Sequence, residues 1–549
     1  LSVEQSNLID PSVALTTWAS VSAGSAPVRE RILHRLRRES FDLLVIGGGI
    51  TGAGVALDAA LRGLRVALVE KGDFASGTSS ASSKLIHGGL RYLEQGAFGL
   101  VREALRERHV LLKLAPHLVR PLRILVPHYA GATRPRWVVK LGLAMYDWLA
   151  GRERIGRHRT LSAVEMAHAA AGLRTQGLLG GFEFFDAQMD DARLCLEVVL
   201  TAQASGVAAI NYVEAVGLTR QNGSVNGCQL LEQLTGDHIR VTARSVVNAA
   251  GPWLDLVCRM DDQTAPVQLA ASKGVHIILP HMELPAGLLV THPADGRVMF
   301  VLPWMNRTLV GTTDTFTQEM PDNITASPAD TDYLLVAVNH YFGKSLSRRD
   351  VINTIAGLRP LLRQNVQQPS AASREFSVVR SASGLWSIAG GKYTTYRSMA
   401  EQLTDRIVAD LGGSLSGLPS RTASHRLVGA PSQDWCEFRE RERSEMIEKY
   451  RLEPPVIDHL IDRYGTRARC VVEECDESVA WERVVAREPD VWAEFHYQSR
   501  HEMAVRSADH LLRRTRLGLF WPESFVAELT PPQLDWNRAG GVPQSTEAS

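Results

Sequence analysis

The chain has 549 residues, 45% of them hydrophobic, enough for more than one domain with a sizeable core. Sixty Lys and Arg offset sixty Asp and Glu, so no global field recruits nucleic acid or an anionic membrane, and phosphate recognition must come from local clusters. Six cysteines without C-x-x-C spacing suit a reducing compartment and predict no metal site, and no apolar run reaches the roughly 18 residues of a bilayer-spanning helix.

Residues 1–40 read as a solvated or loosely docked extension, because Arg29, Arg31, Arg35, Arg37 and Arg38 follow its mildly apolar part, the reverse of a secretory signal. From Leu43 to Ile46 a short apolar run closed by glycine predicts a parallel strand buried on both faces. Gly47 permits a tight turn, Gly49 lets the backbone approach a pyrophosphate, and Gly52 lets the following helix pack close on the strand. That helix then aims its free N–H groups at the phosphates. A second strand ends in Glu70, whose carboxylate suits both ribose hydroxyls. Strand, glycine turn, helix, strand and acid in this order predict a dinucleotide site.

Residues 76–92 carry five serines and a threonine, then Lys84, His87, Arg91 and Tyr92. They are too polar for a core and suit either a solvated loop or a site that offers donors to a polar ring and a cation to an anionic substrate. Residues 134–154 set two tryptophans and a tyrosine among aliphatics with basic residues at both ends. Such a helix either lies in a membrane interface or faces a core. Between Gly206 and Gly251 the chain turns to strands: Ala208 to Arg220, a hairpin signal at Asn222-Gly223, and a strand ending in Ala249-Ala250-Gly251, whose small residues admit a dinucleotide closely. Gly274 to Leu279 and Val298 to Thr312 are rich in β-formers, and Gly384 to Gly391 is a strand running into a glycine turn before a helical stretch from Thr394 to Leu411. Gly412 to Pro431 reads as a linker. From Asp434 to about Phe520 charge and helical periodicity predict a separate helical domain, and the end beyond Pro531 is expected to be disordered.

The runs Gly47-Gly-Gly-Ile-Thr-Gly-Ala-Gly54, Thr78-Ser-Ser-Ala-Ser-Ser-Lys-Leu-Ile-His-Gly-Gly-Leu-Arg-Tyr-Leu-Glu94, Met189-Asp-Asp-Ala-Arg-Leu194, Ser272-Lys-Gly-Val-His276, Gly311-Thr-Thr-Asp314, Gly357-Leu-Arg-Pro-Leu361 and Gly390-Gly-Lys-Tyr-Thr-Thr-Tyr-Arg397 together resemble the FAD-dependent glycerol-3-phosphate dehydrogenases. The resemblance extends from Phe41 to Trp521, with His501 to Trp521 similar to that family's last long helix. It implies an α/β fold: a Rossmann-like FAD domain with an interleaved mixed-sheet substrate domain over 41–425, an all-helical domain over 426–530, and a tail over 531–549. The chain lacks the C-terminal cysteine motifs of the three-subunit anaerobic members and so resembles the single-chain aerobic type. Its implied reaction is oxidation of sn-glycerol 3-phosphate to dihydroxyacetone phosphate.

That reaction needs a phosphate clamp, a base for the C2 hydroxyl and a flavin placed to take the C2 hydride. By similarity Arg91, Arg359 and Lys392 match positions that line the family's substrate pocket, beside Tyr92, with Arg374 a further candidate. Arginine's fork matches phosphate oxygens and its charge does not titrate away, although an interdomain salt bridge is the competing reading of Arg359. For the base, a neutral imidazole is the economical choice, and His276 ranks ahead of His87. Thr78, Ser79, Ser83, Gly391 and Thr394 fall to the flavin, with the amides of Tyr393 to Thr395 facing its electron-accepting edge. No cysteine lies in these motifs, so FAD is expected to be held without a covalent link. The resemblance further implies a membrane quinone as electron acceptor, peripheral contact with the cytoplasmic face of the membrane, no nucleic-acid partner, and room for a homodimer. Two rivals remain: a flavoenzyme oxidising an amine or amino acid, for which so many cations are excessive, and an oxidase passing electrons to oxygen.

Overall fold

The computed structural model describes residues 26–266, 268–363, 375–413, 417–474, 478–522 and 529. They fall into two compact units, one of residues 32–428 and a second of the described residues before 32 and after 428. The expected disordered tail over 531–549 lies outside the described residues.

The larger unit is built on two sheets. In the first, strands Ser40–Ile46, Val66–Val69 and Ala208–Ile210 run parallel on one side, and His238–Asn248 and Trp386–Gly390 continue it in parallel on the other. Phe376–Arg380 closes one edge antiparallel. Leu43, Leu44 and Val45 are fully buried, as a strand covered on both faces must be. The helix Ile50–Leu61 lies so close to the helix Tyr396–Leu411 that a side chain on Gly54 would meet the Tyr396 ring at 2.8 Å. The Asn222-Gly223 hairpin forms as anticipated, both residues having positive φ, which matches the strand twist between Val213–Gln221 and Ser224–Glu232.

Among the described residues the second sheet has ten strands, contributed by the segments between those of the first. Val119–Tyr129 and Leu178–Met189 form its longest pair, and neither is evident in the sequence, since prolines, arginines and paired glycines obscure their alternation. Leu269–Pro280 lies between Asn353–Leu362 and Arg307–Gly311, followed by Val298–Trp304 and Gly287–Thr291.

Residues 26–38 of the presumed loose extension form the helix Ala26–Arg38 instead. Ile32 and Leu36, four apart on one face, are buried, while Arg35 and Arg37 reach the Gly206 carbonyl and Asp237. The linker is pinned as well: Leu427 N–H donates to the Leu114 carbonyl and Val428 N–H to Thr201 Oγ1.

The smaller unit is helical, with Trp435–Tyr450, Pro454–Tyr464, Ala468–Glu473 and Trp492–Glu502 enclosing Met446, Ile457, Leu460 and Val471. The single long helix expected over His501 to Trp521 is not formed. Met503 turns left-handed after Glu502, the Asp509 carboxylate accepts the Val505 and Arg506 amides, and a π-helical segment Asp509–Arg514 gives way at left-handed Arg516 to Leu517–Phe520. Side-chain capping thus competes with the helical periodicity of this stretch.

Candidate active site

A cavity of about 450 Å³ opens between the two sheets of the larger unit. At one end, Gly47 adopts φ +114°, and a Cβ there would sit 2.5 Å from the Ala249 carbonyl oxygen. A Cβ on Gly52 would meet the Gly47 carbonyl at 2.0 Å, so Gly52 packs the turn onto the helix and does not itself line the cavity. Gly49 caps the helix Ile50–Leu61 without a side chain, and the Ile50 amide donates to Ser79 Oγ at 2.9 Å. Glu70 lines the cavity and braces the turn, accepting N–H bonds from Gly48 at 2.7 Å and Gly72 at 2.9 Å. Burial raises its pKa against the lowering effect of these two donors. Ala250 and Gly251 form the facing wall. A side-chain-free turn, a helix N-terminus and a strand-end carboxylate fit the diphosphate and ribose of a dinucleotide.

The other end is built on the second sheet, where Leu289, Phe300, Gly311, His276 and Ile355 sit in one cross-strand row. Leu289, Phe300 and His276 from this row line the cavity. A Cβ on Gly311 would fall 2.0 Å from His276 Cδ2, so this glycine makes the seat for the imidazole. Gly274, two residues before His276, does the same for Arg359, whose Nη2 would be 2.4 Å from a Cβ there. The guanidinium therefore lies about 7 Å along the strand from the His276 position, two residues at 3.3–3.4 Å each.

His276 is buried, with Nε2 2.9 Å from Ser83 Oγ and Nδ1 enclosed, with no hydrogen-bond partner among the described residues. Burial, together with the charges of Lys84 and Arg359, lowers its pKa to about 3, so the ring is neutral. Arg359 donates to Asp314 at 3.0 Å, to Thr312 Oγ1 at 2.9 Å and to the Thr313 carbonyl at 3.1 Å. This Arg359–Asp314 ion pair joins two neighbouring segments of the larger unit, the strand Asn353–Leu362 and the stretch after Arg307–Gly311.

His87, Arg91, Tyr92 and Lys392 meet on the wall between the two ends. Lys392 Nζ stands 3.7 Å from the centre of the Tyr92 ring, and Arg91 packs 5.6 Å from the same ring. His87 is lowered to about 4, by burial first and then by Lys392 and Arg91, although Asp186 opposes the shift. Asp186 is itself engaged by Tyr146 Oη at 2.7 Å and Arg108 at 2.6 Å. Thr78, Ser79, Ser83, Gly391 and Thr394 all line the cavity, Thr394 Oγ1 accepting the His87 N–H at 3.2 Å.

Lys84 is not a site cation: it is fully buried, paired with Asp191 at 2.7 Å, and anchors the 76–92 stretch to the helix Asp191–Ala204. Arg374 lies outside the described residues. Reasoning from the sequence missed Arg297, Phe300 and Asp186 in the cavity wall, and passed over the role of Asp314 although its motif was in view. Arg297 carries no sequence signal, being a single cation just ahead of a β-rich stretch.

Residues 42–397 match the FAD dependent oxidoreductase family, and residues 420–538 match the C-terminal domain of alpha-glycerophosphate oxidase. A protein of Staphylococcus saprophyticus named aerobic glycerol-3-phosphate dehydrogenase is 37% identical over 497 residues, covering 89% of this chain and 88% of that protein. Its namesake in Staphylococcus aureus is also 37% identical, over 502 residues. The crystal structure of a glycerol-3-phosphate dehydrogenase from Bacillus halodurans complexed with FAD superposes with a TM-score of 0.76 at 31% identity, covering 92% of this chain and 91% of that one. An L-proline dehydrogenase from P. horikoshii, at 15% identity and a TM-score of 0.54, shares the fold.

Proposed function

Since the chain belongs to the FAD-dependent aerobic glycerol-3-phosphate dehydrogenases, it oxidises glycerol 3-phosphate with FAD, and we propose that His276 takes the C2 proton while Arg359, Arg91 and Lys392 hold the substrate. Bound FAD supplies the acceptor for the C2 hydride. The observation that carries the residue roles is the pair of glycine seats, which sets His276 and Arg359 on one face of one sheet, opposite the dinucleotide cradle.

Gly47, Gly49, Glu70, Ala250 and Gly251 would hold the diphosphate and ribose, and Ser79, Ser83, Gly391 and Thr394 the flavin end. With Nδ1 enclosed, Nε2 is the His276 atom that a substrate hydroxyl can reach, displacing Ser83 Oγ. The Arg359 charge that helps depress this imidazole is one that a phosphate neutralises. Substrate binding therefore strengthens the base that acts on it. Product is dihydroxyacetone phosphate, the ketone that follows loss of the C2 hydride and hydroxyl proton.

For the acceptor we propose a membrane quinone, reached from a peripheral position on the cytoplasmic face. No described helix is long and apolar enough to cross a membrane. The helix Arg136–Ala150 buries Leu143, Tyr146 and Ala150 on one side and exposes Trp137, Leu141 and Trp148 on the other, with 68% and 76% exposure at the two tryptophans. It thus serves core and surface at once, and its outer stripe beside Lys140 suits a lipid interface.

The test is anaerobic addition of sn-glycerol 3-phosphate to the purified yellow protein. Prompt bleaching of the flavin is expected, and none with glycerol or amino acids; no bleaching with the phosphate ester refutes the substrate. Membranes washed with salt and then detergent, assayed with a soluble quinone, test the acceptor. Full recovery without detergent, with peroxide formed and no quinone reduced, favours the oxidase.

A further inference from the structure

The cavity contains a second guanidinium held against the first. Arg297 immediately precedes the strand Val298–Trp304, lines the cavity, and has a side chain 20% exposed. It forms ion-pair contacts with Asp314 at 3.3 Å and with half-exposed Asp295 at 3.8 Å. Arg359 donates to three oxygens of the 312–314 segment, whereas Arg297 reaches that segment through Asp314 and also engages the Tyr333 hydroxyl. Asp314, only 6% exposed, lies between the two guanidiniums and also receives the Ser272 hydroxyl. The shared Asp314 carboxylate fixes the spacing of the two forks, while Asp295, the second carboxylate on Arg297, is half exposed and offsets its charge only weakly. A phosphomonoester dianion presents three oxygens, more than one fork engages, and needs cations whose donors are still available.

We propose that Arg297 is a phosphate-binding, specificity-determining residue, held beside Arg359 by Asp314 so that the two guanidiniums receive the phosphate of a phosphomonoester together. This rests on the glycerol-3-phosphate reading above. Asp314 is then a positioning residue, and the recognition of a dianion over a singly charged carboxylate comes from the paired arginines.

The holoenzyme, Arg297→Ala and Arg297→Lys are compared for KM with glycerol 3-phosphate and for the inhibition constant of inorganic phosphate. Arg297→Ala is expected to raise both at least about tenfold while kcat falls less than about threefold, as loss of a charge-assisted contact predicts. Arg297→Lys, which keeps the charge but not the fork, recovers part of each. Both constants staying within about twofold of the parent enzyme overturn the proposal. So does a fall in kcat and flavin content with KM unmoved, the signature of a structural role. If the unaltered enzyme fails to bleach with glycerol 3-phosphate, the parent reading fails and not this one.

Discussion

Replacing Gly274 with alanine separates substrate binding from folding. The added Cβ would lie 2.4 Å from Arg359 Nη2, 2.7 Å from Cζ and 2.8 Å from Nη1, all atoms at the far end of a flexible side chain. Relief to ordinary contact needs a shift of roughly 1 Å, which the guanidinium makes by leaving its seat. The bonds to Thr312 Oγ1 and the Thr313 carbonyl then lengthen beyond useful geometry from 2.9 and 3.1 Å. Their loss costs about 0.5–1.5 kcal/mol each. Reduced freedom of the unfolded chain returns about 0.4–1 kcal/mol, since Gly274 has no positive φ to forbid alanine. Net stability should fall by no more than about 2.6 kcal/mol. The phosphate contact, in contrast, loses about 1.5–3 kcal/mol, so kcat/KM should drop about 10- to 150-fold, mostly through KM. Steady-state kinetics and urea unfolding on the same preparation decide the matter. An unchanged KM would refute the assignment of Arg359 to the phosphate, and a collapse of stability would refute the claim that only the guanidinium yields.

Gly311→Ala, whose Cβ would meet the imidazole at 2.0 Å, should lower kcat more than it raises KM, with a loss approaching the roughly 10²–10⁴ of a missing general base, read as the rate of anaerobic flavin reduction. Lys84→Met should destabilise the larger unit by about 3–5 kcal/mol, because the Asp191 carboxylate stays buried without its lysine; Asp191→Asn in the same chain should recover part of the loss in a urea titration. His276 and His496, both buried, have pKa values lowered to about 3 and about 4, so the unfolded chain takes up protons below pH 6.5 that the folded chain refuses. Stability should hold above about pH 7 and fall as the pH drops, by about 2 kcal/mol per histidine at pH 5, and His276→Gln should make the larger unit less acid-sensitive in a pH series of unfolding midpoints.

The cradle was readable because its determinants are local. Gly47, Gly49, Gly52 and Glu70 lie on one strand–turn–helix–strand unit, where each residue type answers to a backbone angle or a close approach within a few residues. The motifs around His276, Arg359 and Lys392 were likewise visible as strings, and all three reach one cavity. What strings do not encode is which side chain faces which. Lys84 and Arg91 stand in the same motif, yet one is buried on Asp191 and the other lines the cavity, a difference set by the helix Asp191–Ala204 far along the chain. The seats on Gly274 and Gly311, and the Asp314 bridge to Arg297, exist because antiparallel pairing brings residues 272–276, 311–314 and 355–359 side by side. Contacts between strands depend on register across the sheet, and residue order within one strand carries no record of its neighbour's register.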